Sequence, residues 1–163
     1  MLSERINSAL NSQINKEFYS AYLYLSMANY FLENGLSGFG HWCKLQAAEE
    51  VEHGMCIFNF LTSLNGKIEL VQISTPDSVF HSPIETVKQI LAHEKHISEM
   101  LRNITIMAKE ENAFTTQKFL ENMLNEQIEE EETAYAIYTK MKLFGDSKSA
   151  MYLIDKELGQ RQK

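Results

Sequence analysis

A chain of 163 residues with a formal charge of −7 would be repelled by a phosphate backbone, which argues against nucleic acid as a partner. Two prolines and seven glycines among abundant Leu, Glu, Lys, Ala and Met favour helix throughout, on a chain one domain long. No run approaches about 18 uninterrupted apolar residues and no basic stretch leads into an apolar one near Met1, so neither a membrane span nor a signal peptide is expected.

In chain order, Ser3-x-x-Ile6 opens a periodic segment that runs to about Glu33 and stops at Asn34-Gly35. A second runs from about Ser37 to Leu64 and ends at Asn65-Gly66. Roughly 18 residues without helical period follow, carrying Pro76 and β-branched residues, a long connection for a compact domain. The third segment starts at Ser82-Pro83, with proline in the first turn, and reaches about Glu111. A fourth covers about Phe114 to Phe144, Gly145-Asp146 breaks the pattern, and a short helix near 148–159 contains the apolar run Met151 to Leu158. The short first and third connections make antiparallel neighbours. The long link can run the length of a ~40 Å helix at about 3.3 Å per residue, so segments two and three can run parallel. The expectation is an all-α four-helix bundle with one long crossover and a short fifth helix, a single domain over residues 1–163.

Steps of three and four residues expose one interior stripe per segment. They read Leu10, Gln13, Glu17, Ser20, Tyr24, Met27, Phe31; Cys43, Gln46, Glu50, His53, Ile57, Phe60, Leu64; Ile84, Val87, Leu91, Glu94, Ser98, Leu101; and Met123, Gln127, Glu130, Ala134, Ile137, Met141. Every stripe is apolar at its ends and polar at its centre. Glu17, Glu50, Glu94 and Glu130 lie about 13, 13, 11 and 16 residues into their helices, near one cross-section. Carboxylates converging in a core repel one another and resist burial, and a bound cation removes both problems. Glu50-x-x-His53 sets an oxygen and a nitrogen ligand on one helix face. Four carboxylates and an imidazole suit two divalent ions, iron being the natural candidate. A neutral Gln127 limits the negative charge. A bundle whose carboxylates are met by water, Lys or Arg is the bland alternative, and no Lys or Arg lies on these stripes near that level.

At these residues the chain resembles a bacterial non-haem ferritin over essentially its whole length. The motifs are Asn15-Lys16-Glu17, Ala48-Glu49-Glu50-Val51-Glu52-His53-Gly54, His93-Glu94, Asn125-Glu126-Gln127-Ile128-Glu129-Glu130-Glu131 and Leu153-Ile154-Asp155-Lys156-Glu157-Leu158. The resemblance implies that Glu17 and His53 bind a first iron, Glu50 bridges, and Glu94 with Glu130 bind a second. It places Gln127 beside the centre, Tyr24 at its edge as a hydrogen-bond or electron donor, and Glu49, Glu126 and Glu129 at a third iron. It further implies oxidation of Fe(II) by dioxygen or hydrogen peroxide, an oxyhydroxide store and a 24-subunit cage. Gln127-x-x-Glu130 in place of a second Glu-x-x-His disfavours bacterioferritin, and Glu52 stands where a haem-ligating methionine would, so no haem is expected.

His41, His81, His93 and His96 show no ligand spacing, and the last two are expected at the surface. Cys43 and Cys56, about 20 Å apart along one helix, are expected as reduced core thiols of a cytoplasmic protein. Phe18, Leu25 and Tyr30 lie off the interior stripe and suggest contacts between subunits.

Overall fold

The computed structural model describes residues 2–162. Among them run five helices: α1 (Glu4–Glu33), α2 (Ser37–Ser63), α3 (Pro83–Glu110), α4 (Phe114–Phe144) and α5 (Lys148–Leu158). Local chemistry sets the ends. Ser3, Ser82 and Ser147 each accept a backbone N–H from the first turn they precede, and Pro83 fills a position that needs no donor. Gly35 ends α1 at φ 75°, whereas Asn65, rather than Gly66, takes the left-handed conformation after α2 at φ 55°. A short polar side chain tolerates that region, so glycine is not required there.

The helices pair as α1 with α2 and α3 with α4, and the two pairs meet where α1 packs on α3. No Cα of α2 comes within 8 Å of one in α4, so these two helices meet through side chains alone. Phe60 and Phe119 do so as a parallel stack with ring centroids 3.9 Å apart. One apolar cluster contains Phe31, Phe39, Trp42, Ile90 and Ile137, and a second contains Ile6, Leu10, Ile57, Leu61 and Leu120. Each such side chain contributes about 1.5–3 kcal/mol on burial. A buried polar level interrupts the core, holding Gln13, Glu17, Ser20, Gln46, Glu50, Glu94, Ser98 and Gln127.

The crossover is pinned to α1 by a ladder of asparagines one turn apart. Asn7 and Asn11 donate to the Lys67 carbonyl at 2.9 and 2.8 Å, Asn11 Oδ1 accepts from Glu69 N–H at 2.7 Å, and Asn15 donates to the Gln72 carbonyl at 3.1 Å. Ser26 continues the row by donating to the Asp77 carbonyl at 2.6 Å.

Helix α2 begins without a cap of its own, Leu36 being at the cap position. Asp155 of α5 supplies one, its Oδ1 accepting the Phe39 N–H at 2.9 Å. Gly38 makes that approach possible, since a Cβ there would sit 1.6 Å from the Asp155 carbonyl oxygen.

Three expectations are corrected. Cys43 is buried but Cys56 is exposed, so the second thiol lies outside the core. Phe18 and Tyr30 are half-buried against the two apolar clusters, and only Leu25 of that trio is open. His93 is no surface residue either, as described below.

Candidate metal centre

Glu50 and His53, one turn apart on α2, face Glu17 of α1. One ligand atom from each of the three lies within 4.8 Å of the others. His53 Nδ1 is 3.5 Å from Glu50 Oε2, and its Nε2 is 3.5 Å from Glu126 Oε2 on α4. Gln13, one turn before Glu17, donates to Glu17 Oε1 at 2.8 Å. Glu17 Oε2 and Glu50 Oε2 are buried with no hydrogen bond from an amide, hydroxyl or backbone group among the described residues, and the two carboxyls lie close enough to share a proton with each other. Two carboxylate oxygens left open beside an imidazole are the donor set that a divalent cation completes.

Glu94 and Glu130 lie outside that close group and are held by neutral donors. The Tyr24 hydroxyl donates to Glu94 Oε1, and Gln127 Nε2 donates to Glu94 Oε2 at 2.6 Å and to the Glu94 carbonyl at 3.1 Å. The amide of Gln127 therefore turns its donor end toward a carboxylate. Gln46 Nε2 donates to Glu130 Oε2 at 2.6 Å. Of the residues set at a third iron, Glu126 reaches His53, Glu49 Oε2 accepts from Arg161 at 2.8 Å, and Glu129 is exposed on α4.

The electrostatics fit a site built for added positive charge. Burial first, then the Glu50 carboxylate, pushes the Glu17 carboxyl up to about 8. Burial and then Glu94 raise Glu50 well above the usual range. Burial raises Glu94 despite the opposing hydrogen bonds from Tyr24 and Gln127. Burial, Glu49 and Glu94 bring Glu130 to about 7. The Tyr24 hydroxyl is raised far above its ordinary value by burial and by Glu94, so it stays a proton donor.

Beside this level, His93 packs between helices and its Nε2 lies 2.7 Å from Ser20 Oγ. Ser20 spends its own proton on the Lys16 carbonyl at 3.0 Å, so the imidazole N–H donates. Burial, His96 and Lys16 lower His93 to about 4, which keeps it neutral.

Sequence patterning passed over four participants. Gln13 and Gln46 stand on the interior stripes one turn before Glu17 and Glu50, a signal open to reading. Trp42 packs edge-on to Tyr24 at 6.0 Å. Arg161 comes from beyond α5, and no helical period points to it.

Residues 7–144 match the ferritin-like domain family. Over 161 residues the chain is 37% identical to the bacterial non-heme ferritin of Bacteroides fragilis, covering 99% of this chain and 100% of that one. The chain belongs to the ferritin family. This ferritin is also 34% identical to the bacterial non-heme ferritin of Staphylococcus aureus, covering 99% of this chain and 97% of the relative. Its backbone superposes on an open pore ferritin from the archaeon Archaeoglobus fulgidus with a TM-score of 0.98 at 41% identity, covering 99% of this chain and all of the other. A closed form engineered from the same archaeal ferritin gives 0.97 at 40% identity and 99% coverage of each chain. A four-helix bundle with a short fifth helix is therefore the architecture of this ferritin as of its neighbours. None of its helices among the described residues is long and apolar enough to cross a membrane.

Proposed function

We propose that this ferritin stores and detoxifies iron, oxidising Fe(II) within the bundle and laying down Fe(III) as an oxyhydroxide mineral inside a protein cage. The observation that carries the reading is the pair of open oxygens, Glu17 Oε2 and Glu50 Oε2, buried next to His53. Iron is the substrate and cargo here. In this reading Glu17 and His53 bind one Fe(II), Glu50 bridges, and Glu94 with Glu130 bind a second. Gln127 and Tyr24 orient Glu94, and Tyr24, hydrogen-bonded to that ligand, is the candidate electron donor. Glu49, Glu126 and Glu129 hold a third ion at the outer face.

Each Fe(II) gives up one electron, and dioxygen or hydrogen peroxide takes the electrons up. The chain supplies placement. Carboxylate ligands with one imidazole suit hard-to-borderline divalent ions and release them more readily than a nitrogen-rich set would. The reading has no role for haem or nucleic acid, treats residues 1–163 as one domain, and sets a homo-oligomeric, 24-subunit cage in the cytoplasm.

Anaerobic Fe(II) titration followed by admission of air tests it. A break at about two or three Fe(II) per chain, rapid oxidation and a large soluble particle holding many more irons is the expected result. Binding that stops at about two ions on a small oligomer would instead make the chain a di-iron enzyme. No specific binding would leave only a helical bundle.

A further inference from the structure

The end of the described chain bends back onto α2 and sets a guanidinium against the acidic outer wall of the centre. Arg161 Nη1 donates to Gln46 Oε1, and Nη2 donates to Glu49 Oε2 at 2.8 Å. Gln46 passes the contact inward, since its Nε2 holds Glu130 Oε2 at 2.6 Å. Two further contacts fix the arm. His41 Nε2–H donates to the Arg161 carbonyl at 2.9 Å, and the guanidinium carbon lies 5.7 Å from the centre of the Trp42 ring. Delivery is arranged upstream, where Gly38 and Gly159 let α5 lie close to the start of α2.

We infer that Arg161 is a tethered cation that holds the Glu49 position against divalent metal and is displaced as an ion occupies it. The inference rests on the iron reading and adds an order of filling to it. Glu49 Oε2 cannot serve a guanidinium and a metal ion together, and the two positive charges would repel at that range. The Arg161 and Glu49 side chains keep 31% and 38% of their exposure, so their ion pair is weak enough for a divalent ion to displace. Glu17 Oε2 and Glu50 Oε2, in contrast, are open. The inner positions fill first. The Glu49 position fills last and with release of the C-terminal arm, which also frees Gln46 to turn away from Glu130. Arg161 is thus a positioning residue that acts on Glu130 through Gln46.

Zn(II), which is redox-silent and accepts carboxylate and imidazole ligands, is the probe, titrated into the assembled protein with calorimetry and tryptophan emission as readouts. Trp42 is the only tryptophan and lies under the guanidinium, so its emission reports the arm. The expected result is about two tight equivalents per chain with little change in emission, then a weaker one that changes it. In Arg161→Gln the last equivalent should bind at least about tenfold more tightly with no further emission change, and in Arg161→Lys it should fall between. Glu49→Gln should remove that last equivalent in either background. Equal affinity for the last equivalent in the wild type and Arg161→Gln would overturn the inference while leaving the iron reading intact. So would an emission change that persists in Arg161→Gln. Loss of the first equivalents from the wild type would overturn both together.

Discussion

Asp155 Oδ1 accepts the backbone N–H of Phe39 at 2.9 Å, so the second helix of the bundle is capped by a side chain from the last helix. Asp155→Ala should cost about 1 kcal/mol, the usual value of a lost N-cap, and Asp155→Asn should recover much of it. Gly38→Ala should cost more than either, because its Cβ would meet the Asp155 carbonyl oxygen at 1.6 Å and push α5 off α2. Thermal unfolding of the three variants checks the ranking. A Gly38→Ala protein as stable as the wild type would refute it.

Without metal, stability should fall as pH rises. The Glu17 carboxyl has its folded value raised from 4.5 to about 8, so the folded chain binds the proton more tightly than the unfolded chain does. That contribution is fully present below pH 4.5 and lost progressively up to about 8. Glu130, raised to about 7, adds loss over the lower part of the same window. Chelated protein should therefore melt at higher temperature at pH 5.5 than at pH 8, by an amount on the order of a few kcal/mol in stability. Glu17→Gln should flatten the profile. A melting temperature that rises between those two pH values in the chelated protein would contradict the charge state assigned to the centre.

Glu50→Ala removes one of the two open oxygens and the neighbour of His53. Fast Fe(II) oxidation should drop by roughly 100-fold or more while the oligomer still assembles. Stopped-flow absorbance after mixing with Fe(II) and air gives the rate, and size-exclusion chromatography gives the assembly. Oxidation at the wild-type rate would remove Glu50 from the centre.

Tyr24→Phe separates the role of a hydroxyl from that of a ligand. Glu94 keeps Gln127 but loses its other side-chain donor, so Fe(II) binding should persist while oxidation slows by about tenfold. Anaerobic titration beside oxidation kinetics distinguishes the two. An unchanged rate would reduce Tyr24 to packing.

Asn11→Ala should loosen the crossover without touching the centre. It removes the acceptor of the Glu69 N–H, which now donates to Asn11 Oδ1 at 2.7 Å, at a cost of about 0.5–1.5 kcal/mol. Hydrogen exchange at the Glu69 amide should accelerate markedly. Persistent protection there would mean that the link is held by other contacts.

Much of the fold can be read in the sequence because it is written in local terms. Ser3, Ser82-Pro83 and Gly35 each set a helix end through residues within a turn of themselves, and loop lengths indicate which helices are neighbours. The polar centre of each stripe is equally local, so Glu17, Glu50, His53 and Gln127 can be placed on inner faces by counting. Contacts between distant residues follow different rules. Arg161 meets Gln46 and Glu49 across more than a hundred residues, and nothing in a helical period foretells where a tail will fold back. His93 shows the same limit, since one step from Glu94 on a helix suggests an outer face, yet Ser20 and Tyr19 of α1 cover it. Cys56 fails in the other direction, lying exposed on α2 although Cys43 of the same helix is buried. The ladder of Asn7, Asn11 and Asn15 is an intermediate case: its spacing of four is visible, but its partner is an irregular segment with no pattern of its own.

The bundle is bound like a book. Its spine runs where α1 packs closely on α3, and its fore-edge lies between α2 and α4, where only side chains close the pages. Glu50, His53, Glu126 and Glu130 all stand along that edge, with the Phe60–Phe119 stack as one clasp and Gln46–Glu130 as another. That edge is closed by side chains of unequal freedom, since Glu126 is exposed and can change rotamer in picoseconds to nanoseconds while Gln46 is buried and held by Glu130.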